Sequence, residues 1–418
     1  MVRLSRMTDA VDRLVRMAAP TGPVLALAIA CAPPDTHSGP PPEHPDDPAP
    51  KAAPAATGPR EWDAGLETDA APEPPGDAER PWNPEPVHLE AADPSSALAL
   101  VATVEGALLF SARTDALGLV EIVARPIGPD ARPSGDVLPV ARIDDPVLAL
   151  TAARHWRAGR ILLAVTTPDR QALTQLDELG RLVTAVRGQA IDGTPAAPPG
   201  LARLPQGFAV ASTRAADPDA VHVDRHALAP DRPVNSMALA CRDAAVLDLA
   251  FTGEDLWLAA RCGGLPWLIG PERGAVRALT ADAAGHRLLA DGRGLIEVVR
   301  RGKSGEGARL EARRLGAGAE TDGPYHLLAK VGPVAEVITA LRPSGGLALV
   351  LGSAGDGPAR LLRVDATLEP EGYGFGLPEG FVPGAAVWRR ESGLVCGHWR
   401  QPDGAGEPET LTCLPVPP

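Results

Sequence analysis

One short apolar segment recurs seven times along this chain: ALLFSAR (107–113), RILLAVT (160–166), GFAVAST (207–213), DLWLAAR (255–261), GLIEVVR (294–300), GLALVLG (346–352) and GLVCGHW (393–399). Successive copies start 53, 47, 48, 39, 52 and 47 residues apart. A brief apolar run bounded by turn residues reads as a strand covered on both faces. A glycine stands at or just before nearly every start, as in Glu105-Gly106, Gly345-Gly346 and Ser392-Gly393. There it is expected to supply the positive φ of a tight hairpin turn.

Each copy has strand-like neighbours. Upstream lie LALVATV (98–104), VLALTAA (147–153), VLDLAFT (246–252) and EVITALR (336–342). Downstream come VEIVARP (120–126), LTQLDEL (173–179) or LLRVDAT (361–367), and often a fourth segment such as RLVTAVR (181–187) or VNSMALA (234–240). Four short strands in about 40–50 residues is the period of a β-propeller blade. The last unit, AAVWRR (385–390), GLVCGHW and TLTCLPV (410–416), is one strand short, while PVHLE (86–90) is a spare strand ahead of the first unit. A propeller that closes its ring with the N-terminal strand uses both irregularities and removes an exposed edge. The expected fold is all-β: a seven-bladed β-propeller over 86–418, closed by that strand. The alternatives are a pair of β-sandwiches, or helices in leucine-rich pieces such as 172–186.

The first 85 residues have a different texture. Arg3, Arg6, Arg13 and Arg16 precede an apolar stretch, Val24 to Ala30, and Ala28-Ile29-Ala30 leads into Cys31. A basic start, an apolar core and small residues before a cut are the parts of an export signal. The box resembles a bacterial lipobox, with Ala28 where leucine is usual. That resemblance implies residues 1–30 as a lipoprotein signal peptide and Cys31 as the lipidated first residue of the mature chain. Ala32, rather than aspartate, follows it, which points to the outer membrane more than the inner. From Pro33 to Pro86 there are sixteen prolines, and from Ala32 to Glu85 there are 12 acidic and 3 basic residues. Such a segment cannot bury enough apolar surface to fold, so 31–85 is expected to be a disordered, self-repelling tether. Segments 86–418 resemble bacterial envelope propellers, including lipoproteins with PQQ-like or related repeats, which LTQLDELGRL and LLRVDATLEP echo.

Composition narrows the partners. The net charge is −13, and no clustered positive field exists to neutralise phosphates, so nucleic acid is not expected. GKSG at 302–305 lacks the earlier glycine of a phosphate loop, because Glu297 holds that place. HVDRH puts His222, Asp224 and His226 on one face of a strand, a weak candidate zinc set. The plainer reading is a solvated face on an outer strand with Val221 and Val223 inward. Asp115, Asp169, Asp217, Asp356 and Asp403 read as turn initiators rather than calcium ligands. Trp257, Trp267, Trp388 and Trp399 read as blade packing. No catalytic residue and no cofactor are expected.

With Cys31 lipidated, four cysteines remain, the even number expected of an exported chain. Cys396 and Cys413 lie on neighbouring strands of the last blade. Cys241 ends an outer strand and Cys262 the second strand of the next blade, on one face of the ring. Disulfides Cys241–Cys262 and Cys396–Cys413 are therefore expected. The functional expectation is a monomeric, lipid-anchored, non-catalytic binding module of the cell envelope that presents a loop face to an envelope protein or glycan. The alternative is a propeller enzyme, of lyase, lactonase or quinone-dependent dehydrogenase type, with chemistry in its channel.

Overall fold

The computed structural model describes residues 84–418, apart from 92–96, 116–117, 156, 185–186, 191–197, 215, 229–232, 280–282, 292, 303–307, 317, 321–322, 332–336, 353–357, 373, 391, 401–408 and 417–418. Residues 1–30, Cys31 and most of the expected tether lie outside the described residues. The described chain forms seven four-stranded antiparallel sheets and no helix. The fold is a seven-bladed β-propeller. Blades 1 to 6 run Leu98–Ile143, Ala149–Ala190, Gly200–Ala240, Ala245–Ala278, Ala283–Val331 and Val337–Gly376. Blade 7 takes its inner, second and third strands from Phe381–Val416 and its outer strand from Val87–Ala91. Val87 pairs with Cys413 and Ala91 with Thr410, so the N-terminal strand closes the ring.

Every one of the seven recurrent segments is the second strand of its blade. A second strand is flanked by two others and covered on both faces by adjacent blades. Alternation therefore disappears and the strand reads as a continuous apolar run. Ala107–Ala112, Ile161–Thr166 and Leu347–Leu351 are buried at every position.

The expected positive φ is present at Gly159, Gly294 and Gly345, which open or just precede three of these strands, but three other glycines serve a different purpose. An ideal Cβ on Gly106, Gly207 or Gly346 would sit 2.0, 1.9 or 2.1 Å from the carbonyl oxygen of Ile127, His226 or Val364 respectively. In each case the third strand brings a carbonyl against the start of the second, and only a residue without a side chain fits. Positive φ is found nearby, at Gly345 (φ +86°).

The core is divided among the junctions between blades, one apolar cluster to each. Leu108, Phe110, Ile161 and Leu163 fill the space between blades 1 and 2. Leu162, Phe208 and Val210 join blades 2 and 3, and Val221, Leu239, Leu256 and Leu258 join blades 3 and 4. Trp257 and Leu295 lie between blades 4 and 5, Val298 and Leu349 between 5 and 6, and Val350 and Trp388 between 6 and 7. The ring-closing junction holds Leu109 and Ile127 of blade 1 against Leu394 and Leu411 of blade 7. Trp257 and Trp388 are buried in these clusters, and Trp267 and Trp399 pack against them.

A turn that repeats between third and outer strands locks the blades together. In blades 1, 2, 5 and 6 the N–H of Ala131, Gly180, Ala319 or Leu368 donates to the carbonyl three residues earlier. Each of the four has a positive φ, of 66°, 82°, 59° and 70°. The four are buried, and a Cβ on Gly180 would stand 2.9 Å from the Ala124 methyl of the preceding blade. In blade 2 this turn displaces the expected strand. Leu182 and Val183 are 48% and 38% exposed in the turn, and the outer strand is Arg187–Ala190 rather than 181–187. Residues 172–184 hold strand and turn, not helix.

Candidate functional site at the channel mouth

Each blade is entered through its inner strand, so the inner strands all begin on the same face, the one crossed by the blade-to-blade connections. Six of the seven blades contribute to a cavity of about 510 Å³ at this mouth. Its lining mixes aliphatic residues, Leu98, Leu148, Leu150, Leu201 and Val382, with small ones, Ala149, Gly200 and Gly384, that leave backbone bare, so polar atoms present at least half of its surface. Leu148 and Val382 are 46% and 50% exposed on the rim. Small residues at the strand starts leave backbone and volume open there, and the flanking prolines Pro198, Pro199 and Pro383 stiffen the approach.

Three titratable side chains line this cavity: Asp248, Arg287 and His398. Asp248 belongs to the inner strand of blade 4, Ala245–Phe251, whose pairing slips between Val246 and Asp248. A bulge of this kind re-aims a side chain. The Asp248 Oδ1 accepts the N–H of Leu249 at 2.8 Å, and Oδ2 accepts the N–H of Leu288 at 2.9 Å. Leu288 lies on the inner strand of blade 5, whose channel edge has no partner strand, so the carboxylate satisfies an edge amide and ties blade 4 to blade 5. Burial pushes the Asp248 carboxyl up from its ordinary range, opposed by the two amides and by the nearby Arg287 guanidinium. Arg287 is exposed, and no hydrogen bond or ion pair holds its guanidinium among the described residues. His398, on the second strand of blade 7, is buried behind Val382, its register partner.

His222, Asp224 and His226 lie on the third strand of blade 3, Asp217–Ala227, not on an outer strand. They are not a solvated face: His222 is 8% and Asp224 4% exposed, because adjacent blades cover both faces of the sheet. Nor are they assembled as a metal set. Asp224 accepts from Arg214 Nη2 at 2.5 Å and from Ser236 Oγ at 2.6 Å, while His222 Nε2 faces Asp217 at 3.3 Å. Burial lowers the affinity of both imidazoles for a proton. Among the described residues no group of three His, Cys, Asp or Glu side chains is placed to hold a metal ion.

The cysteines pair as expected. Cys241–Cys262 joins blade 3 to blade 4 with a Cα separation of 4.8 Å, and Cys396–Cys413 joins two register partners of blade 7 at 4.1 Å. Asp115 does initiate a turn, accepting the Leu119 N–H at 3.0 Å. Asp169 accepts the Thr167 hydroxyl at 3.2 Å. Asp217 begins a strand and faces His222 instead of opening a turn. Asp356, Asp403 and residues 303–305 of the GKSG segment lie outside the described residues. Asp248 and Arg287 were not singled out from sequence. The available signal was a lone carboxylate inside the otherwise apolar VLDLAFT.

No protein-family model matches this chain, and no curated protein matches it. Solved structures do resemble it. One, from a structural and mechanistic study of two prolyl endopeptidases, is 12% identical with a TM-score of 0.47, over 78% of this chain and 50% of that chain. The chain thus spans about half the length of that prolyl endopeptidase. Another is a Bacteroides uniformis protein described as a candidate 6-phosphogluconolactonase, 13% identical, TM-score 0.42, over 70% of this chain and 88% of that one. A third is the uncharacterized protein lmo1340 from Listeria monocytogenes, 8% identical, TM-score 0.44, over 74% and 92%.

Proposed function

We propose that this chain is a non-catalytic binding module of the cell envelope, lipid-anchored through Cys31 and held off the membrane by residues 31–85. Its partner is an envelope protein or glycan, engaged by the face around the channel mouth. The supporting observation is the apolar rim: Leu148 and Val382 stand about half exposed beside a cavity of about 510 Å³. Large apolar side chains kept in water around a concavity mark a binding surface. The anchor rests on the lipobox-like sequence at Cys31 and is tested separately, by detergent partitioning and the mass of the N-terminal peptide. A water-soluble protein retaining Met1 to Ala30 contradicts it.

The binding reading is tested with Leu148→Asp and Val382→Asp in the full-length chain. Both positions face water, so the variants fold. The expected result is loss of the partner recovered by the wild-type chain from solubilised envelopes. Undiminished recovery by both variants contradicts the reading. The competing enzyme reading draws on Asp248, Arg287 and His398 of the same cavity. It requires turnover of a substrate that Asp248→Asn and Arg287→Gln abolish.

A further inference from the structure

The mouth cavity combines two half-exposed aliphatic side chains on its rim, Leu148 and Val382, with one cationic group that is not spent on the fold. Most arginines here are. Arg313 donates to Glu297 at 2.7 Å, Arg314 donates to Asp291 and to the carbonyls of Gly345 and Ala366, and Arg125 pairs with Glu90 at 2.6 Å. Arg287 has no such partner among the described residues, although it stands beside Asp248. The Asp248 oxygens instead accept the amides of Leu249 and Leu288. The guanidinium therefore keeps its planar fork of donors, which suits a carboxylate bidentately. Leu148 and Val382 on the rim of the same cavity are about half exposed, whereas Leu98 and Leu150 pack into the junctions between blades.

We propose that the cavity binds a small aliphatic monocarboxylate, its carboxylate on the Arg287 guanidinium and its chain against Leu148 and Val382 on the rim. The cavity's 510 Å³ is within the usual range for a small-molecule site. This inference rests on the reading of the mouth as a binding surface and names the ligand chemistry of that surface.

The test uses the full-length chain with Cys31→Ser, titrated with hexanoate, hexanol and hexylammonium by calorimetry and by the carboxyl carbon resonance of labelled hexanoate. Hexanoate is expected to bind saturably at one site, with hexanol weaker by about tenfold and hexylammonium not bound. Arg287→Gln is expected to lose about tenfold or more of the hexanoate affinity, and Arg287→Lys part of it. Near-UV circular dichroism and intact disulfides report whether the variants fold. If Arg287→Gln does not fold, Leu148→Asp on the exposed rim must weaken hexanoate instead. The absence of saturable hexanoate binding to the wild-type chain overturns the proposal, as does equal affinity for hexylammonium. Affinity unchanged in the folded Arg287→Gln chain, or in Leu148→Asp, overturns it as well. Failure to recover a macromolecular partner would count against the envelope-module reading and leave the hexanoate result standing.

Discussion

At Gly207 a side chain has nowhere to go, because its Cβ would lie 1.9 Å from the His226 carbonyl oxygen. Gly207→Ala must push two strands of blade 3 apart, and we expect a loss of about 2 kcal/mol or more in denaturant unfolding. Gly376 offers the control: no atom lies within 4 Å of its ideal Cβ, so Gly376→Ala should stay within about 0.5 kcal/mol of wild type. The sequence marked these glycines and foresaw the positive φ found at Gly159, Gly294 and Gly345, but not the steric reason at Gly207, since a carbonyl arriving from some 20 residues away leaves no local signature. Glu297 was legible only as the residue that spoils a phosphate loop. In the fold it is fully buried, 2.7 Å from Arg313 Nε, 2.9 Å from the Tyr325 hydroxyl and 3.3 Å from His286 Nδ1. Burial pushes its carboxyl up, but His286, Arg313 and Tyr325 outweigh burial and hold it below the usual range. A depressed carboxylate adds stability above its unfolded pKa and loses it as pH falls through the lowered folded value. Glu297→Gln should therefore cost about 3 kcal/mol at neutral pH, through the unpaired Arg313, and flatten the acid side of the stability profile. Urea unfolding from neutral to acid pH reads both effects; an unchanged acid limb contradicts the assignment.

At the scale of strands and turns, the second strands were readable because both their faces are covered. Outer strands were read unevenly: VNSMALA and the closing strand fall on Pro233–Ala240 and Val87–Ala91, but the outer strand of blade 2 was misplaced. RLVTAVR carries strand-forming residues, yet Asp177 takes the amides of Leu179 and Arg181 at 2.9 Å each and turns the chain first. Asp365 does the same for Thr367 and Glu369, at 2.8 and 2.9 Å. These are the two fragments whose likeness was visible in the sequence. The equivalent turns ending at Ala131 and Ala319 start on Gly128 and Gly316 where the other two start on aspartate, so the likeness of all four was not visible in the sequence. The Cys241–Cys262 bridge spans elements of two blades and closes a loop of 21 residues. Replacing both cysteines by serine should cost about 3 kcal/mol in the chain-entropy account. Denaturant titration against the oxidised wild type checks this; equal midpoints would mean the blades hold that junction without the bond.

Over the whole molecule, the ring is closed by pairing and by charge. Beyond the Val87–Ala91 pairing, Glu90 of the closing strand meets the buried Arg125 of blade 1 at 2.6 Å, and His88 accepts from or donates to Thr412 at 2.9 Å. The spare and missing strands made this closure legible before any coordinates. The channel mouth was legible only in part: the small aliphatic inner strands were foreseen, but Asp248 and Arg287 meet through a bulge and an inter-blade bond that no single segment encodes. The central claim is that this mouth, rather than the outer surface of the ring, is where the molecule binds. The most direct measurement is site-specific photocrosslinking in intact envelopes, with the reactive group at Leu148 or Val382 on the rim and, as controls, at Val276 or Leu327 on outer strands, where the side chains are 38% and 46% exposed. The account predicts a discrete adduct from the two rim positions and none from the two outer ones; the same adducts from all four, or adducts from the outer positions alone, would contradict it.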